Sequence, residues 1–325
     1  MMVFVKNHTG LLKATLIQLE YIIAVDTHRH FGKAAESCFV TQPTLSMQIQ
    51  KLEESLGVII FDRSKQPVVP TDIGKQIIAQ AREVISQARR IDEIISEEKE
   101  EVAGELKIAI IPTLAPYLLP LFISSFLEKY PKISLTVEEM LTDRIVKSLQ
   151  NDQIDIGLLV TPLAEQGLAE KPLFYEEFLV YASERHPISS KKEVTGDDLD
   201  LENLWLLNEG HCFRNQVLNI CNHDQRIGRT PFRYESGSLE SLRRIVDRQR
   251  GLTLLPELAT LDLDKDARKK LRGFAAPVPT REVSLVLRRS FLKRRMVEAL
   301  HQEILESLPP LIKSRKADRV VNWKS

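Results

Sequence analysis

The feature that most constrains this chain is the stretch VTQPTLSMQIQKLEESLG at residues 40–57. Thr41 is a favourable N-cap, and Pro43 suits the first turn of a helix, where its missing N–H leaves no hydrogen bond unmade. Apolar residues then recur four, three and four positions apart, before a glycine that suits a helix end: Leu45, Ile49, Leu52 and Leu56. We predict a helix here, and we expect Leu45, Ile49 and Leu52 to pack in a core.

Two further helices are predicted just before this one. LIQLEYIIAV (16–25) has its apolar residues on one helical face, and GKAAESC (32–38) fits a second, shorter helix. A tight turn at Phe39 and Val40 leads into the third. This arrangement predicts a helix-turn-helix, in which the start of the last helix presents polar side chains to the major groove of DNA. We expect Cys38 in the core, because free cysteine is often buried.

A wing and a long helix are predicted next. VIIFDRSKQPVVPT (58–71) predicts two short strands around a polar turn, with Arg63 and Lys65 at its tip. A helix is predicted from Thr71 to Glu98, and its heptad spacing favours a dimerising linker helix over one that packs only on its own domain. The heptad residues are Ile73, Ile77, Ala81, Val84, Ala88, Ile91 and Ile95. The charged, glycine-terminated SEEKEEVAG (96–104) predicts a domain boundary.

Beyond residue 104, predicted strands and helices alternate. Strands are expected at 106–111, 134–138, 156–160, 178–182, 205–207, 252–255 and 283–288. Helices are expected at 120–129, 142–151, 238–248 and 291–306. The alternation predicts an α/β domain on a parallel, doubly wound sheet. KSRKADRVVNWKS (313–325) has five basic residues and one acidic residue, and we expect it to be a solvated tail.

Composition and charge restrict the partners and the compartment. Lys plus Arg equals Asp plus Glu at 45 each, and residues 1–70 hold seven basic against six acidic side chains, so DNA must bind a local patch. The uncharged run 108–127 is long enough to span a membrane, yet Pro112, Pro116 and Pro120 favour a strand, a turn and an amphipathic helix instead. Three cysteines and no signal sequence predict a cytoplasmic protein with no membrane partner.

The segment HFGKAAESCFVTQPTLSMQIQKLEESLGVIIFDRS (30–64) resembles the winged helix-turn-helix of LysR-type transcriptional regulators. The resemblance covers nearly the whole chain. It implies a dimerising linker helix and a two-lobed α/β effector domain like a periplasmic binding protein. The expected domains are an N-terminal extension (1–15), the winged helix-turn-helix (16–70), the linker helix (71–103), a redox-sensing regulatory domain (104–312; lobe I 104–175 and 278–312, lobe II 176–277) and the basic tail (313–325).

Promoter double-stranded DNA is the partner predicted for the N-terminal domain. By the docking geometry of helix-turn-helix proteins, the start of the recognition helix reaches base edges, whereas the wing contacts phosphates and sets register. The predicted DNA-binding residues are Gln42, Pro43, Thr44, Ser46, Gln48, Lys51, Arg63 and Lys65. The chain itself, as a dimer through the linker helix and as a tetramer, and RNA polymerase are the further partners expected.

A narrower resemblance, to the peroxide-sensing members of that family, is carried by IPTLAPYLLP (111–120), EGHCFRNQ (209–216) and LRR (287–289). It implies hydrogen peroxide as the signal, Cys212 as the peroxidatic thiol and Cys221 as the resolving thiol. The residues expected to bind peroxide around Cys212 are Thr113, Thr142, His211 and Arg288. The sequence departs from many relatives at Asn215, where they have an acidic residue, and at Met47, where Gly or Arg is usual.

The spacing of the two cysteines restricts what they can do. A zinc site that uses His211 and His223 is disfavoured because adjacent residues rarely bind one ion, and a thioredoxin-like motif needs two intervening residues rather than eight. A permanent crosslink is disfavoured in the cytoplasm. If the segment is helical, nine residues advance about 13 Å, whereas a disulfide needs alpha carbons within about 7 Å. The spacing therefore favours a switch in which the helix unwinds when Cys212 and Cys221 join.

The predicted chemistry begins at Cys212. A cation would lower its thiol pKa, and we expect Arg214 or an imidazolium at His211 to supply it. Peroxide would give a sulfenic acid, which Cys221 would convert to a disulfide that a thiol reductant later reverses. This interpretation is a regulator, not an enzyme, and it uses no cofactor and no metal. Two alternatives stay open: a LysR-type regulator that binds a metabolite between its lobes, and a thiol peroxidase or oxidoreductase.

Overall fold

The computed structural model of the chain describes residues 13–98, 102–199, 203–221, 237–289, 291 and 293–323. The chain divides into two compact units, residues 1–99 and residues 100–325. Most of the expected N-terminal extension, residues 1–12, lies outside the described residues. Within the described ranges, no helix is both long and apolar enough to cross a membrane.

The first unit contains a three-helix core, a hairpin and a long helix. Its elements are α1 (Leu16–His28), α2 (Phe31–Ser37), α3 (Gln42–Leu56), β1 (Phe61–Asp62), β2 (Val69–Pro70) and α4 (Asp72–Glu98). Thr41 caps α3 through its hydroxyl, and Gly57 ends that helix in the left-handed conformation, with φ 71°. The predicted core residues Leu45, Ile49 and Leu52 are fully buried. Cys38, in contrast, is only partly buried, since it lies at the C-terminal end of α2.

Helix α4 has two different apolar faces. Arg82 on this helix donates a hydrogen bond of 2.8 Å to Asp26 on α1 and fixes one face against the unit. The apolar side chains buried on that face are Ile78, Ala81 and Ile85. Among the side chains described on α4, the large apolar ones that are exposed are Ile73, Val84 and Ile91. Ala81 therefore belongs to the core of the unit and not to the expected heptad seam. The exposed residues leave an apolar stripe on the surface.

The second unit is built on one large mixed sheet. Its elements are β3 (Gly104–Ile110), α5 (Ala115–Lys129), β4 (Ile133–Glu139), α6 (Thr142–Gln150), β5 (Ile156–Thr161), β6 (Leu168–Ala182), β7 (Glu193–Val194), α7 (Cys212–Ile220), α8 (Leu239–Arg248), β8 (Leu252–Pro256), α9 (Lys265–Arg268), β9 (Leu271–Phe274), β10 (Pro279–Arg288), α10 (Arg294–Ser307), α11 (Pro310–Lys313) and β11 (Arg319–Val320). The strand order is β4-β3-β5-β10-β6-β9-β7, with β8 also paired to β6 and β11 to β10. The predicted α/β class is confirmed.

The expectation of a wholly parallel sheet is wrong. β3 is parallel to β4 and β5, but β10 is antiparallel to both β5 and β6. The reason is the chain topology. β10, which comes late in the chain, inserts between β5 and β6 and runs in the opposite direction to both. Residues 168–177 of β6 pair with β10, and residues 178–182 pair with β8. β6 therefore connects two lobes, and each lobe has its own apolar core.

Two expected features differ locally. Residues 205–207 form no strand, and the only β-bridge described there joins Leu204 to Leu252. The described part of the expected solvated tail, residues 313–323, packs on the domain: β11 adds in parallel to β10, and Val321 is buried in the core of the second lobe. Val321 explains the difference, because its side chain, unlike that of the exposed Val320, has a core to pack against.

Candidate functional site

Helix α7 holds both cysteines of the predicted switch. Cys212 is its first residue, Cys221 is its C-cap, and the helix is nine residues long. The prediction that this segment is helical in the reduced chain is confirmed, and both thiols are free. The cysteines lie about 13 Å apart along the helix axis, too far for a disulfide with the helix intact.

The two thiols also lie in different apolar cores. Cys212 is 5% exposed and packs with the core that contains α5, α6 and α10, in the first lobe. Cys221 is 1% exposed and packs with the core that contains α8 and β8, in the second lobe. A bond between them must therefore remove at least one thiol from its core.

Gly210 allows the first turn of α7 to lie close to α6. Its φ is 92°, a conformation that favours glycine, and a Cβ there would lie 3.1 Å from Cδ1 of Leu141. Leu141 is the N-cap residue of α6, directly before Thr142. A side chain at position 210 would strain the backbone at this φ and would require the Leu141 side chain to shift by a few tenths of an ångström.

Burial and the neighbouring polar groups shift the pKa of the Cys212 thiol in opposite directions. Burial raises the pKa of the Cys212 thiol, whereas the Thr142 hydroxyl, the Arg281 guanidinium and the backbone N–H groups of Phe213 and Cys212 lower it. Burial has the largest effect, so the resting thiol is protonated at neutral pH. A thiolate formed there faces a cation and the positive end of a helix.

Thr142, a predicted peroxide-binding residue, places its hydroxyl against the Cys212 thiol. Its hydroxyl is close enough to lower the pKa of Cys212. The buried Oγ1 makes no hydrogen bond of normal geometry with the described residues. Buried hydroxyls usually have a partner, so this one is free to bind a small polar molecule beside the thiol.

Arg281 is the cation of the site, and sequence reasoning missed it. The residue is fully buried, and its Nη1 and Nη2 donate to Oγ1 and the carbonyl oxygen of Thr113 at 3.1 and 3.2 Å. Its guanidinium carbon lies 5.4 Å from the ring centroid of Phe213, the residue after Cys212. Thr113, predicted to bind peroxide directly, is therefore placed in the site as a partner of Arg281.

Glu176 holds Arg281 in place. Its Oε1 accepts from Nε of Arg281 at 2.9 Å and lies 2.8 Å from Nη2, and neither side chain is exposed. Its Oε2 accepts from the backbone N–H of Leu258 at 2.9 Å. No signal in the sequence singled out either residue, because β6 and β10 each carry further charged residues.

His211 and Arg214 do not supply the expected positive charge. His211 is buried, and burial lowers the pKa of its imidazole, so the ring is neutral at pH 7. As the N-cap residue of α7 it still lies directly beside Cys212. Arg214 donates from Nη1 to the carbonyl oxygen of Leu207 at 2.9 Å, a contact that fixes the loop before α7. The guanidinium that lowers the pKa of Cys212 belongs to Arg281 instead.

The structure does not bring Arg288 to Cys212. Arg288 forms an ion pair with Asp152 and lies opposite Leu168 in the sheet. It is seven positions after Arg281 on β10, or about 23 Å along a strand with a rise of about 3.3 Å per residue. The expected placement of Arg288 beside Cys212 is therefore wrong, and the arginine that lies near this thiol is Arg281.

Cys221 is the less reactive thiol at rest. Burial raises the pKa of Cys221 to about 12. Because no cation near the thiol opposes this effect among the described residues, almost none of the thiol is ionised at neutral pH. This difference supports the predicted order, in which Cys212 reacts first and Cys221 follows once the helix has opened.

No group of three or more His, Cys, Asp or Glu side chains in the described parts of the chain is arranged to hold a metal ion. His223, considered above as a ligand, lies outside the described residues.

The predicted DNA-contacting residues lie on α3 and the hairpin of the first unit. Gln42, Pro43 and Lys51 are exposed, whereas Thr44, Ser46 and Gln48 are partly buried. Gln48 accepts from Nε2 of Gln18 at 3.3 Å, so its amide is held against α1. Arg63 donates to Ser46 at 3.3 Å and to Glu53 at 2.9 Å, and Lys65 at the hairpin tip is 66% exposed. Lys65 is thus the freer of the two wing cations.

Comparison with known proteins identifies the family. Residues 16–75 match the family model "Bacterial regulatory helix-turn-helix protein, lysR family", and residues 99–309 match "LysR substrate binding domain". The chain belongs to the LysR family. The two LysR models together cover the helix-turn-helix, the hairpin, the first turn of α4 and nearly all of the mixed sheet.

Several LysR-family relatives are similar over most of their length. The DNA-binding transcriptional dual regulator OxyR of Escherichia coli K12 is 36% identical over 286 residues, 88% of this chain and 93% of the relative. The hydrogen peroxide-inducible genes activator of Haemophilus influenzae is 32% identical over 298 residues, 92% and 98% of the two chains. A full-length OxyR variant from Pseudomonas aeruginosa matches with 37% identity and a TM-score of 0.75, over 94% of this chain and 99% of that one. A hydrogen-peroxide-bound OxyR mutant from Corynebacterium glutamicum matches with 27% identity and a TM-score of 0.59, over 92% and 94%.

Proposed function

We propose that this LysR-family chain is a cytoplasmic promoter-binding regulator that senses hydrogen peroxide through Cys212 and Cys221. One observation carries the proposal. Cys212 is buried at the start of α7 beside Thr142 and Arg281, while Cys221 is at the other end of the same helix in a different core. The relatives named as hydrogen peroxide-inducible genes activators support it.

The chemistry needs two steps. In the first, the sulfur of Cys212 attacks one oxygen of hydrogen peroxide, an S–O bond forms, and the O–O bond breaks. The thiol proton leaves with the second oxygen, so the products are a sulfenic acid and water. Arg281 stabilises the negative charge that develops on the departing oxygen, and the hydroxyl of Thr142 orients the peroxide.

In the second step the sulfur of Cys221 attacks the sulfur of the sulfenic acid. The S–S bond forms, the S–O bond breaks, and the hydroxyl leaves with the thiol proton as a second water. Two thiols and one peroxide thus give one disulfide and two waters. Each chain consumes a single peroxide before a thiol reductant must act, so the activity is a stoichiometric signal and not catalytic turnover.

The signal reaches DNA through a change of shape. Because α7 cannot remain helical across a Cys212–Cys221 bond, the disulfide repacks both lobes of the second unit. We infer dimerisation through the exposed apolar stripe of α4 and tetramer formation through the second unit, so that oxidation changes the spacing of the DNA-binding heads. The residues assigned to base edges or phosphates are Gln42, Pro43, Thr44, Ser46, Gln48, Lys51, Arg63 and Lys65, with RNA polymerase as the expected downstream partner.

The test is a footprint of promoter DNA with and without peroxide. Cys212→Ser should bind DNA as the reduced wild type does and lose every peroxide-dependent change. Cys38→Ser is the matched control, since Cys38 belongs to the first unit and α7 to the second, and it should leave the response intact. A normal oxidative response in Cys212→Ser would reject the proposed function. Repeated turnover of peroxide with a dithiol would instead indicate a thiol peroxidase.

A further inference from the structure

The C-terminal strap, defined here as residues 318–323, connects β10 to helix α7. On one side, Arg319 and Val320 pair in parallel with Pro279 and Thr280. The backbone N–H of Val321 also donates to the carbonyl oxygen of Thr280 at 2.9 Å. Thr280 directly precedes Arg281, the cation of the peroxide site, so the strap is anchored on the strand that supports that site.

On its other side the strap accepts hydrogen bonds from three side-chain amides of α7. Gln216 donates to the carbonyl oxygen of Val321 at 2.9 Å and Asn219 to that of Asn322 at 2.8 Å. Asn215 donates to the carbonyl oxygen of Trp323 at 3.2 Å. The three donors lie between the two cysteines in sequence. They reach consecutive carbonyl groups because a helix places positions 215, 216 and 219 along one side.

Two further contacts hold the strap in position. The indole Nε1 of Trp323 donates to the carbonyl oxygen of Pro162 at 2.9 Å, and the carboxylate of Asp318 accepts from the backbone N–H of Val278 at 2.7 Å. Val321 is buried in the same apolar core as Cys221 and Ile220. The strap therefore contacts both lobes and packs with the core around the resolving thiol.

We propose that the strap holds α7 in its dithiol form and that Asn215, Gln216 and Asn219 set how readily the Cys212–Cys221 disulfide forms. The proposal rests on the proposed function. The amide contacts exist only while residues 215–219 are helical, and a Cys212–Cys221 bond requires that helix to unwind. A contact made in one state alone shifts the equilibrium towards that state, so the strap favours the reduced chain.

Asn215 gives this chain a contact that an acidic residue could not make. A carboxylate has no N–H to donate to the carbonyl oxygen of Trp323 and would face that oxygen with like charge. Asn215→Asp therefore removes the contact with little change of volume. Asn219→Asp does the same at the neighbouring carbonyl, and both side chains lie at least partly at the surface, where a carboxylate stays hydrated.

The experiment uses the full chain and measures the fraction of Cys212–Cys221 disulfide by alkylation and peptide mapping. It is run against hydrogen peroxide and against mixtures of reduced and oxidised dithiothreitol. Each lost hydrogen bond should shift the dithiol–disulfide equilibrium about fivefold towards the disulfide. The double variant Asn215→Asp/Asn219→Asp should therefore form the disulfide at least tenfold more readily, which is a midpoint potential about 30 mV more negative for each factor of ten.

Two controls separate the strap from general damage. Gln302→Glu makes the same kind of change on α10, where the amide donates to Glu298, and should leave the midpoint at the wild-type value. A chain that ends at Trp323 keeps the described strap contacts and should also match wild type, whereas a chain that ends at Ala317 should shift like the double variant.

The melting temperature in each redox state separates a loss of strap contacts from general destabilisation. The strap predicts that the double variant lowers the melting temperature of the reduced protein and leaves that of the oxidised protein unchanged. Equal losses in both states, or a wild-type redox midpoint in the double variant, would overturn the strap and leave the proposed function standing. If wild type itself formed no Cys212–Cys221 disulfide under peroxide, the proposed function would fail with it.

Discussion

Arg281 and Glu176 form an ion pair of 2.8 Å in which both side chains are fully buried. The pair fixes the guanidinium between Thr113 and the ring of Phe213, where it lowers the pKa of Cys212. A buried ion pair adds little to stability compared with apolar packing. In this chain the ion pair instead fixes the position of the Arg281 guanidinium beside the protonated Cys212 thiol.

The first prediction concerns the identity of this cation. Arg281→Lys keeps the charge but loses the planar fork that bonds Glu176 and Thr113 together, so the second-order rate of Cys212 oxidation should fall about 100-fold. Stopped-flow mixing with hydrogen peroxide, followed by alkylation of the remaining thiol, measures the rate. Arg288→Lys is the matched control on the same strand and should react as wild type does. If Arg288→Lys slowed oxidation and Arg281→Lys did not, Arg288 would be the arginine of the peroxide site, as expected from the sequence.

The second prediction concerns the Thr142 hydroxyl beside the Cys212 thiol. Thr142→Val has nearly the same shape and removes only the hydrogen-bonding group, so oxidation by peroxide should slow by about tenfold. Alkylation by iodoacetamide, which has no peroxide to orient, should slow much less. Thr136→Val, on the exposed side of β4, serves as the control. Equal slowing of both reactions would mean that Thr142 acts only through the pKa of the thiol.

The third prediction concerns stability at alkaline pH. Burial raises the pKa of Cys221 to about 12, whereas a free thiol has a pKa of about 8.5. Below about pH 8.5 the thiol is protonated in the folded and the unfolded chain, and its contribution to stability is complete. Above that value only the unfolded chain loses the proton, so the free energy of unfolding should fall by about 1.4 kcal/mol per pH unit.

Urea denaturation of the reduced protein between about pH 8 and pH 10 tests this dependence. Cys221→Ala should show a shallower loss of stability with rising pH than wild type, because one titrating thiol is gone. Parallel curves for the two proteins would show that Cys221 is not protected from ionisation in the fold.

The fourth prediction separates base contacts from phosphate contacts. Thr44→Ala and Gln42→Ala, at the start of α3, should reduce the preference for promoter sequence over random DNA by about 1–3 kcal/mol. Lys65→Ala, at the hairpin tip, should weaken binding to all sequences and reduce the slope of log affinity against log salt by about one. Fluorescence anisotropy at several salt concentrations measures both quantities. If all three variants weakened specific and random DNA alike, the assignment of α3 to the major groove would be wrong.

Local signals made part of this molecule predictable. The capping threonine, the glycine stop and the apolar spacing of α3 all act within one turn or two, so the helix could be predicted without its neighbours. For α7 the sequence supplied only the condition that the segment between the cysteines is helical, and the structure meets that condition. The mixed direction of the sheet could not be predicted, because it depends on where β10 inserts among strands made over 100 positions earlier.

The choice between two arginines shows the same limit at the site. Arg281 and Arg288 lie on one strand, and only the pairing of β10 with β6 decides which of them reaches Thr113 and Glu176. The strap was missed for a related reason. Five basic residues suggested solvation, whereas the bonds that hold the segment use its backbone carbonyls, which carry no residue-specific signal.

The proposed switch requires that peroxide joins the two ends of α7 through a Cys212–Cys221 disulfide. The most direct measurement is peptide mapping of the full chain, digested without reductant after a short exposure to hydrogen peroxide. We expect one peptide pair linked through Cys212 and Cys221, with Cys38 still a free thiol and a promoter footprint that changes in step with the link. A footprint that changes while Cys212 and Cys221 both remain thiols would contradict it.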